Sequence, residues 1–338
     1  MTIQGFTRFR KFQLGKQTAL SSNVPATRIL PWRGSISVEP ARELPDVDLG
    51  SLDPIMASFN GPKEITKPNA GKAAYNDMPY FWAGLLKGGV TPTGGGSAKT
   101  WTFQAASLTA DAYEYFLGEW GDDVSSDVII ATGGIIDSGE IGFDDSLGAF
   151  DLSADMVFAN AALGTNGFTG GLTIDASPNW LYGADTEVFI DTAAGSIGTT
   201  KLTDDVHSQN TAINGNNDRK RFANGSNTRF QLAGYGRGAR EGTITIVRAK
   251  TTASVAERQT LDDEPVPTRY IEIRTTSPEI ITGSTPFSQS QRYAAELLTA
   301  TDGEIGGNST IEFTYRIKYD ATLGYAYRVV VVCETTSL

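Results

Sequence analysis

Carboxylates in adjacent positions are the first residues of this sequence that could do chemistry. Two carboxyl groups can act as general acid and general base, as in a glycosidase, when they face each other across a cleft. Adjacency does not create such a cleft, and a chain with 39 acids in 338 residues contains chance pairs. The pattern gives little support to a carbohydrate-active enzyme. The adjacent acids are Asp122-Asp123, Asp144-Asp145 and Asp262-Asp263-Glu264.

Other catalytic and ligand-binding motifs are incomplete. The single histidine, His207, has no Gly-x-Ser-x-Gly segment near it, so a serine nucleophile is not indicated. The glycine-rich segment 94–100 lacks the first glycine of a phosphate-binding loop. One histidine and one cysteine, Cys333, exclude a histidine-cluster metal site and an intrachain disulfide. We therefore predict no enzyme activity, no metal and no cofactor, and we expect Cys333 to be a small core residue.

The distribution of charge is more informative than its sum. The 28 basic and 39 acidic residues give a net charge of −11. Between Lys99 and Lys201 there are sixteen acids and no lysine or arginine, so the rest of the chain carries +5. A pI near 4.7, without interleaved basic and aromatic residues, is atypical of a nucleic-acid-binding surface. If DNA is a partner, the sequence predicts that it is not bound specifically.

Basic residues are concentrated in two blocks. One block precedes the first acid, Glu39, and the other lies in 206–240, where Asp218 is the sole acid. Such blocks are often solvated loops. The alternative is that identical copies associate, basic block against acidic segment, while the remaining acids face something that must not bind. The basic residues are Arg8, Arg10, Lys11, Lys16, Arg28 and Arg33, and Arg219, Lys220, Arg221, Arg229, Arg237 and Arg240.

The composition predicts a mainly β protein with a few short helices and long loops. Thirty-seven glycines and 14 prolines favour many short strands, and a charged content of 20% argues against a coiled coil or a disordered chain. No run approaches the roughly 18 apolar residues of a membrane span. Residues 1–20 mix basic and apolar residues, unlike a signal peptide. We expect a soluble protein that is not exported and has no membrane partner.

Alternation of polar and apolar residues is clearest in 135–158. Segments 135–144 and 149–158, separated by a turn at 145–148, predict a long hairpin. Successive side chains of a strand point to opposite faces, so one face is rich in carboxylates and the other is apolar. The polar set is Ser138, Glu140, Asp144, Asp151, Ser153 and Asp155, and the apolar set is Ile141, Phe143, Phe150, Leu152, Met156 and Phe158.

The rest of the chain gives shorter signals. Alternation predicts strands at 34–39, 101–104 and 243–247. The C-terminal segment 311–332 repeats the hairpin design, with a turn at 320–324 and a polar face that is mixed or basic.

Only three helices are predicted, and all are short. The first has Asp77 as its cap, Pro79 in its first turn and Gly88 as its stop. The others are 252–261 and 288–298. Two stretches, 40–72 and 193–238, are predicted as long loops that order against a partner.

Four segments in a fixed order carry a family resemblance: GKQTALSSNVPATRILP (15–31), YNDMPYFWAGLLKGG (75–89), GGIIDSGEIGF (133–143) leading into LSAD (152–155), and ADTEVFID (184–191) followed by TITI (243–246). Their succession resembles the major tail tube proteins of long-tailed bacteriophages, contractile or non-contractile, which are similar to type VI secretion tube proteins. The resemblance covers nearly the whole chain, and the glycine- and asparagine-rich region 193–238 has no counterpart.

The resemblance implies one tail-tube domain over 1–338 with an N-terminal arm, 1–34. It implies an antiparallel β-sandwich with a flanking helix, self-assembled as homohexameric rings that stack into a tube for DNA ejection. Expected partners are further copies of the chain and the tail terminator, tape measure and distal tail proteins, with DNA passing unbound. The protein would be made in the host cytoplasm and reside in the virion tail. An acidic lumen suits this role because it offers no contacts to phosphates.

This interpretation gives each of the two charged surfaces a role. The polar set of the 135–158 hairpin would face the lumen, and Arg8, Arg10, Lys11, Arg219, Lys220 and Arg221 would make contacts between rings. Two alternatives stay open. Another virion or surface β protein, such as a head decoration or adhesion module, predicts monomers or trimers without a lumen. A carbohydrate-active enzyme predicts a deep pocket with converging carboxylates.

Overall fold

Strands dominate the structure, a computed structural model that describes residues 10–43, 59–122, 127–163, 167–203, 205–222 and 232–338. Strands account for 56% and helices for 9%, so the prediction of a mainly β protein is confirmed. The helices are α1 (Met78–Leu85) and α2 (Thr252–Gln259). The strands are β1 (Arg10–Gln17), β2 (Arg28–Leu30), β3 (Ser37–Glu43), β4 (Phe59–Lys72), β5 (Lys99–Gln104), β6 (Tyr115–Asp122), β7 (Asp127–Phe143), β8 (Asp151–Val157), β9 (Asn160–Ala162), β10 (Thr186–Asp191), β11 (Val206–Asn214), β12 (Asn217–Lys220), β13 (Gly234–Arg237), β14 (Glu241–Ala249), β15 (Thr268–Thr282), β16 (Thr285–Ile305), β17 (Asn308–Lys318) and β18 (Tyr327–Cys333).

Most strands belong to one branched antiparallel sheet. Its main path runs β10-β15-β16-β17-β14-β11-β7-β6-β1-β2. A branch leaves β7 through β8 to β4 and β3, and another leaves β16 through β18 to β5. Sixteen strands are therefore connected through β7 and β16, and β12 and β13 form a separate two-stranded sheet.

The sheet divides along β16. Residues 288–293 of this strand pair with β18, and residues 294–305 pair with β17 on the same side. Strands β17 and β18 thus follow one another along β16, and each has a different outer neighbour, β14 or β5. The expected likeness between 311–332 and the 135–158 hairpin is wrong, because β17 and β18 do not pair with each other.

Helix α1 lies in the core. All eight of its residues are buried, against β7 and the strands around it. The predicted helix is confirmed, with Pro79 in its first turn. The capping role of Asp77 is wrong: its side chain makes no cap hydrogen bond and instead accepts one of 2.5 Å from Nε of Arg28. The ion pair outcompetes the local cap because both groups are largely shielded from water.

Helix α2 confirms the second predicted helix and begins with a capping box between Thr251 and Ser254. The third predicted helix, 288–298, is wrong, because these residues lie within the 21-residue strand β16. The spacing of Tyr293, Ala294 and Leu297 fits a helix. Pairing with β15, β17 and β18 satisfies the backbone instead, and a bulge next to Leu298 disturbs the alternation that would have indicated a strand.

The predicted loops are largely strands. Residues 59–72 form β4, paired with β3 and β8, and 44–58 lie outside the described residues. Within 193–238, residues 204 and 223–231 lie outside the described residues. The chain forms β11, β12 and β13 in the rest of this range, so the loop interpretation is wrong for those segments. The predicted N-terminal arm contains β1 and β2, which pair with each other, and β1 also pairs with β6. Proline and glycine in these strands weaken the sequence signal without preventing pairing.

Candidate functional site: the polar face of the β7–β8 hairpin

Strands β7 and β8 form the predicted hairpin in the predicted register. Ser138 lies opposite Asp155, Glu140 opposite Ser153, and Gly142 opposite Asp151. Glu140, Asp144, Asp151 and Asp155 are exposed, and the two serines are half-buried. The predicted apolar set is buried throughout, from Ile141 to Phe158. The division into one solvent-facing polar face and one core face is therefore as the sequence predicts.

Two local features fix this register. A bulge between Ile136 and Ser138 leaves Asp137 unpaired with β8, and the Asp137 carboxylate accepts hydrogen bonds from the backbone and side-chain nitrogens of Asn217. Beyond the bulge, Gly139 faces α1, and a Cβ placed there would lie 2.7 Å from the ring of Phe81. A larger residue at 139 would therefore separate the hairpin from α1.

The carboxylates of this face differ in their partners. Asp151 pairs with Lys72 at 2.7 Å across β8 and β4, with both side chains exposed. Asp155 accepts a hydrogen bond of 2.9 Å from Ser138. A hydrogen bond from the Ser146 hydroxyl lowers the pKa of Asp144 below its ordinary value. Glu140 has no cation within ion-pair distance among the described residues, so the face keeps net negative charge.

The polar face continues onto the neighbouring strands. Ser138, Glu140, Ser153 and Asp155 line a shallow recess of about 330 Å³ together with Asn214 of β11 and with Glu241 and Thr243 of β14. No aromatic or basic side chain lines this recess. Such a surface disfavours the binding of polyanions. The β11 and β14 contributions were not recognised from the sequence, because they lie about 60–100 residues downstream.

The predicted inter-ring residues near the N-terminus lie partly outside the described residues, which begin at Arg10. Arg8 is therefore not placed. The guanidinium of Arg10 lies 5.2 Å from the ring centre of Trp120, and the Lys11 ammonium lies 4.3 Å from the ring centre of Phe168. Both residues belong to β1, so this part of the basic block is built into the sheet.

The second set of predicted inter-ring residues contacts β4 of the same chain. Arg219 forms an ion pair of 3.1 Å with Glu64, and Arg221 donates a hydrogen bond of 3.3 Å to the carbonyl of Lys63. Lys220 between them is exposed. Strand β12 and the residue after it therefore place Arg219 and Arg221 against the subunit's own surface. The acid that pairs with Arg219 is Glu64 of the same chain, which lies outside the acidic segment 100–200.

Folding also joins the two charged regions inside the subunit. Arg240 pairs with the buried Asp111, and Lys16 pairs with Glu114 at 3.1 Å. Arg237 donates to the carbonyls of Leu86 and Ala112. These contacts form within one copy, and their residues are up to 151 positions apart in the sequence, so no local pattern predicts them.

Two further residues belong to chemically reactive types, His207 and Cys333. His207 is half-buried in β11. Cys333 is buried, and burial raises the pKa of its thiol to about 11, which keeps it unreactive. Among the described residues, no group of three or more histidine, cysteine or acidic side chains is arranged to hold a metal ion. In the same part of the chain, no helix has the length and apolar character needed to cross a bilayer.

A scan against models of protein families and a search of curated proteins found no match for this chain.

Proposed function

We propose that this protein is a structural virion protein whose copies assemble as hexameric rings and stack into a phage tail tube, with the polar face of the β7–β8 hairpin lining the DNA channel. The observation that carries the proposal is the hairpin itself. It presents four exposed carboxylates on one face and a buried apolar set on the other. A channel that passes a polyanion needs a surface that denies it phosphate contacts.

The shape of the sheet supports assembly. Strand β16 has 21 residues, which corresponds to about 70 Å at roughly 3.3 Å per residue. Its two ends form hairpin tips, around 279–285 and 303–309, whose residues are mostly exposed on both faces. Two projecting tips at opposite ends of one strand provide contact points for rings above and below.

An open edge lies close to the polar face. In the described part of the chain, β3 pairs with one neighbour only, β4, which in turn pairs with β8 of the hairpin. Pairing of this edge with a neighbouring copy would extend the hairpin's sheet around a ring and remove an exposed edge.

The alternatives of a head decoration or adhesion module and of a carbohydrate-active enzyme predict different assemblies. Electron microscopy of the purified protein separates them, because tubes or rings with a central channel are expected here. Monomers or trimers without a channel at high protein concentration would contradict the proposal.

A charge reversal tests the lumen assignment. The double variant Asp151→Lys and Asp155→Lys should still form tubes, because both side chains are exposed, but particles that carry it should eject DNA slowly or not at all. The matched control is Asp262→Lys with Asp263→Lys, which reverses two exposed acids that follow α2 and belong neither to the hairpin nor to the two tips of β16. Normal ejection by the 151/155 variant in assembled particles would show that the hairpin does not line the channel.

A deletion tests the proposed role of the basic N-terminus in ring contacts. Phe12 and Leu14 of β1 are buried, so the deletion should remove residues 1–9 and leave β1 intact. If the truncated protein and a variant with serine at 219, 220 and 221 both form tubes as readily as wild type across a salt series, Arg8, Arg219, Lys220 and Arg221 do not hold rings together.

A further inference from the structure

Three arginines converge on a polar recess far from the β7–β8 hairpin. Glu272 of β15, Arg292 of β16 and Arg328 of β18 lie directly opposite one another on adjacent strands. Arg274 lies next to them, and together they line a recess of about 270 Å³. Like charges directly opposite each other, as in Arg292 and Arg328, destabilise a sheet unless something compensates them.

Glu272 compensates only part of this charge. Its carboxylate is fully buried and contacts Arg274 at 3.0 Å and Arg292 at 3.2 Å, and it accepts a hydrogen bond of 2.8 Å from Ser290. A Cβ at Gly198 would lie 2.0 Å from Oε2, so the loop at 198 seals the carboxylate from above. Glu272 therefore orients two guanidinium groups and is not accessible to a ligand.

Arg328 has no such partner. Its guanidinium makes no hydrogen bond or ion pair with the described residues, and its Nε atom is buried and unsatisfied. The recess is lined by three positive charges and one negative charge. Glu187 also lies 3.9 Å from Arg274, but it is itself paired with Lys201 at 2.8 Å, so the group as a whole keeps +2. The hydroxyl-bearing residues Thr276, Ser288 and Ser290 complete its lining.

We infer that this recess binds a phosphate group. A phosphate monoester carries about −1.5 to −2 charges at pH 7 and free phosphate a similar charge, which matches the uncompensated charge of the site. Each phosphodiester of a nucleic-acid backbone carries about −1, so two neighbouring backbone phosphates would be needed to match it. Planar guanidinium groups bind phosphate oxygens in bidentate fashion, and the serine and threonine hydroxyls supply neutral donors. The phosphate is either free in solution or part of a nucleic-acid backbone. The inference does not depend on tube assembly.

Titration with inorganic phosphate at constant ionic strength, followed by calorimetry and by thermal unfolding, tests the site. Wild type should bind phosphate and unfold at higher temperature with it than with chloride. Arg328→Gln should weaken binding by about tenfold or more, because it removes one charge-assisted donor set. Arg328→Lys keeps the charge but loses the planar guanidinium group, so its affinity for phosphate should lie between those of wild type and Arg328→Gln.

Arg316→Gln is the matched control, since Arg316 is an exposed arginine of the same sheet that does not line the recess. A parallel titration with a short DNA duplex identifies the source: binding that depends on Arg328 assigns a backbone phosphate, and binding of inorganic phosphate alone assigns the free ion. The inference is overturned if folded wild type binds neither, or if the Arg328 and Arg316 variants bind equally well.

Discussion

The ammonium group of Lys67 lies 4.0 Å from the centre of the Phe12 ring, inside the core. Lys67 is fully buried and its hydrogen-bond acceptor is the side-chain oxygen of Asn69. No carboxylate lies within ion-pair distance of this ammonium among the described residues. Burial therefore lowers the pKa of Lys67 to about 7, and the cation–π contact and one amide only partly replace the lost hydration.

This relationship predicts an unusual dependence of stability on pH. The folded-state pKa of Lys67 lies below the unfolded value of about 10.4, so the unfolded chain binds more protons between pH 7 and 10. The free energy of unfolding should gain a contribution from Lys67 that increases with pH in this window. Lys67→Met should be more stable than wild type at pH 7 by on the order of 3–5 kcal/mol, with the difference vanishing towards pH 10. Urea denaturation at several pH values measures it, with the exposed Lys63→Met as control. Parallel stability curves for wild type and Lys67→Met would contradict the prediction.

Gly139→Ala should destabilise the subunit by about 1–3 kcal/mol, because the added methyl group meets the Phe81 ring in a closely packed core. Gly95→Ala is the control, since a Cβ there meets no atom within 4 Å. Urea denaturation compares the two, and equal stability of both variants would show that α1 does not pack as closely on β7 as the structure indicates.

Arg240→Gln should cost about 3–5 kcal/mol, because it leaves the buried Asp111 without its main cation. Asp111→Asn in the same chain should recover part of the loss, and the double-mutant cycle measures the coupling. The control is Arg219→Gln: its partner Glu64 is exposed, so the loss should stay below about 1 kcal/mol. Similar losses for Arg240→Gln and Arg219→Gln would rule out a buried, strongly coupled pair.

Asp191 accepts hydrogen bonds from the loop at 198–200, which covers Glu272. Desolvation raises the pKa of its carboxyl, but hydrogen bonds from Thr200, Thr199 and the Gly198 amide outweigh this and lower it overall. A lowered folded-state pKa contributes stability above the unfolded value of about 3.9, and this contribution is lost as the pH falls through the folded value. Asp191→Asn should thus lose about 1–3 kcal/mol at pH 7 and approach wild type in acid. Thermal unfolding from pH 2 to 7 measures this, with Asp145→Asn as an exposed control. A gap that stays constant down to pH 2 would contradict it.

Local alternation was enough to predict the β7–β8 hairpin. Side chains of a strand alternate between two faces, so the order of residues from Ser138 to Phe158 already separates the solvent-facing set from the core set. Alternation also identified β5 and β14, and a proline and a glycine that bracket a short apolar run identified α1. Local patterns failed for 288–298, because the spacing of Tyr293, Ala294 and Leu297 is helical while the partners that make it a strand come from distant parts of the chain.

What the sequence alone determined was therefore the β class, the carboxylate-rich hairpin face and the absence of complete catalytic motifs. The tertiary structure decided which charges meet. Arg240 reaches Asp111 across 129 positions, Lys67 is enclosed beside Phe12, and Arg292 and Arg328 come to lie opposite each other on neighbouring strands. Such contacts depend on strand order and register over the whole sheet, and the energies that select them come from burial and pairing between segments rather than from any local pattern of residues.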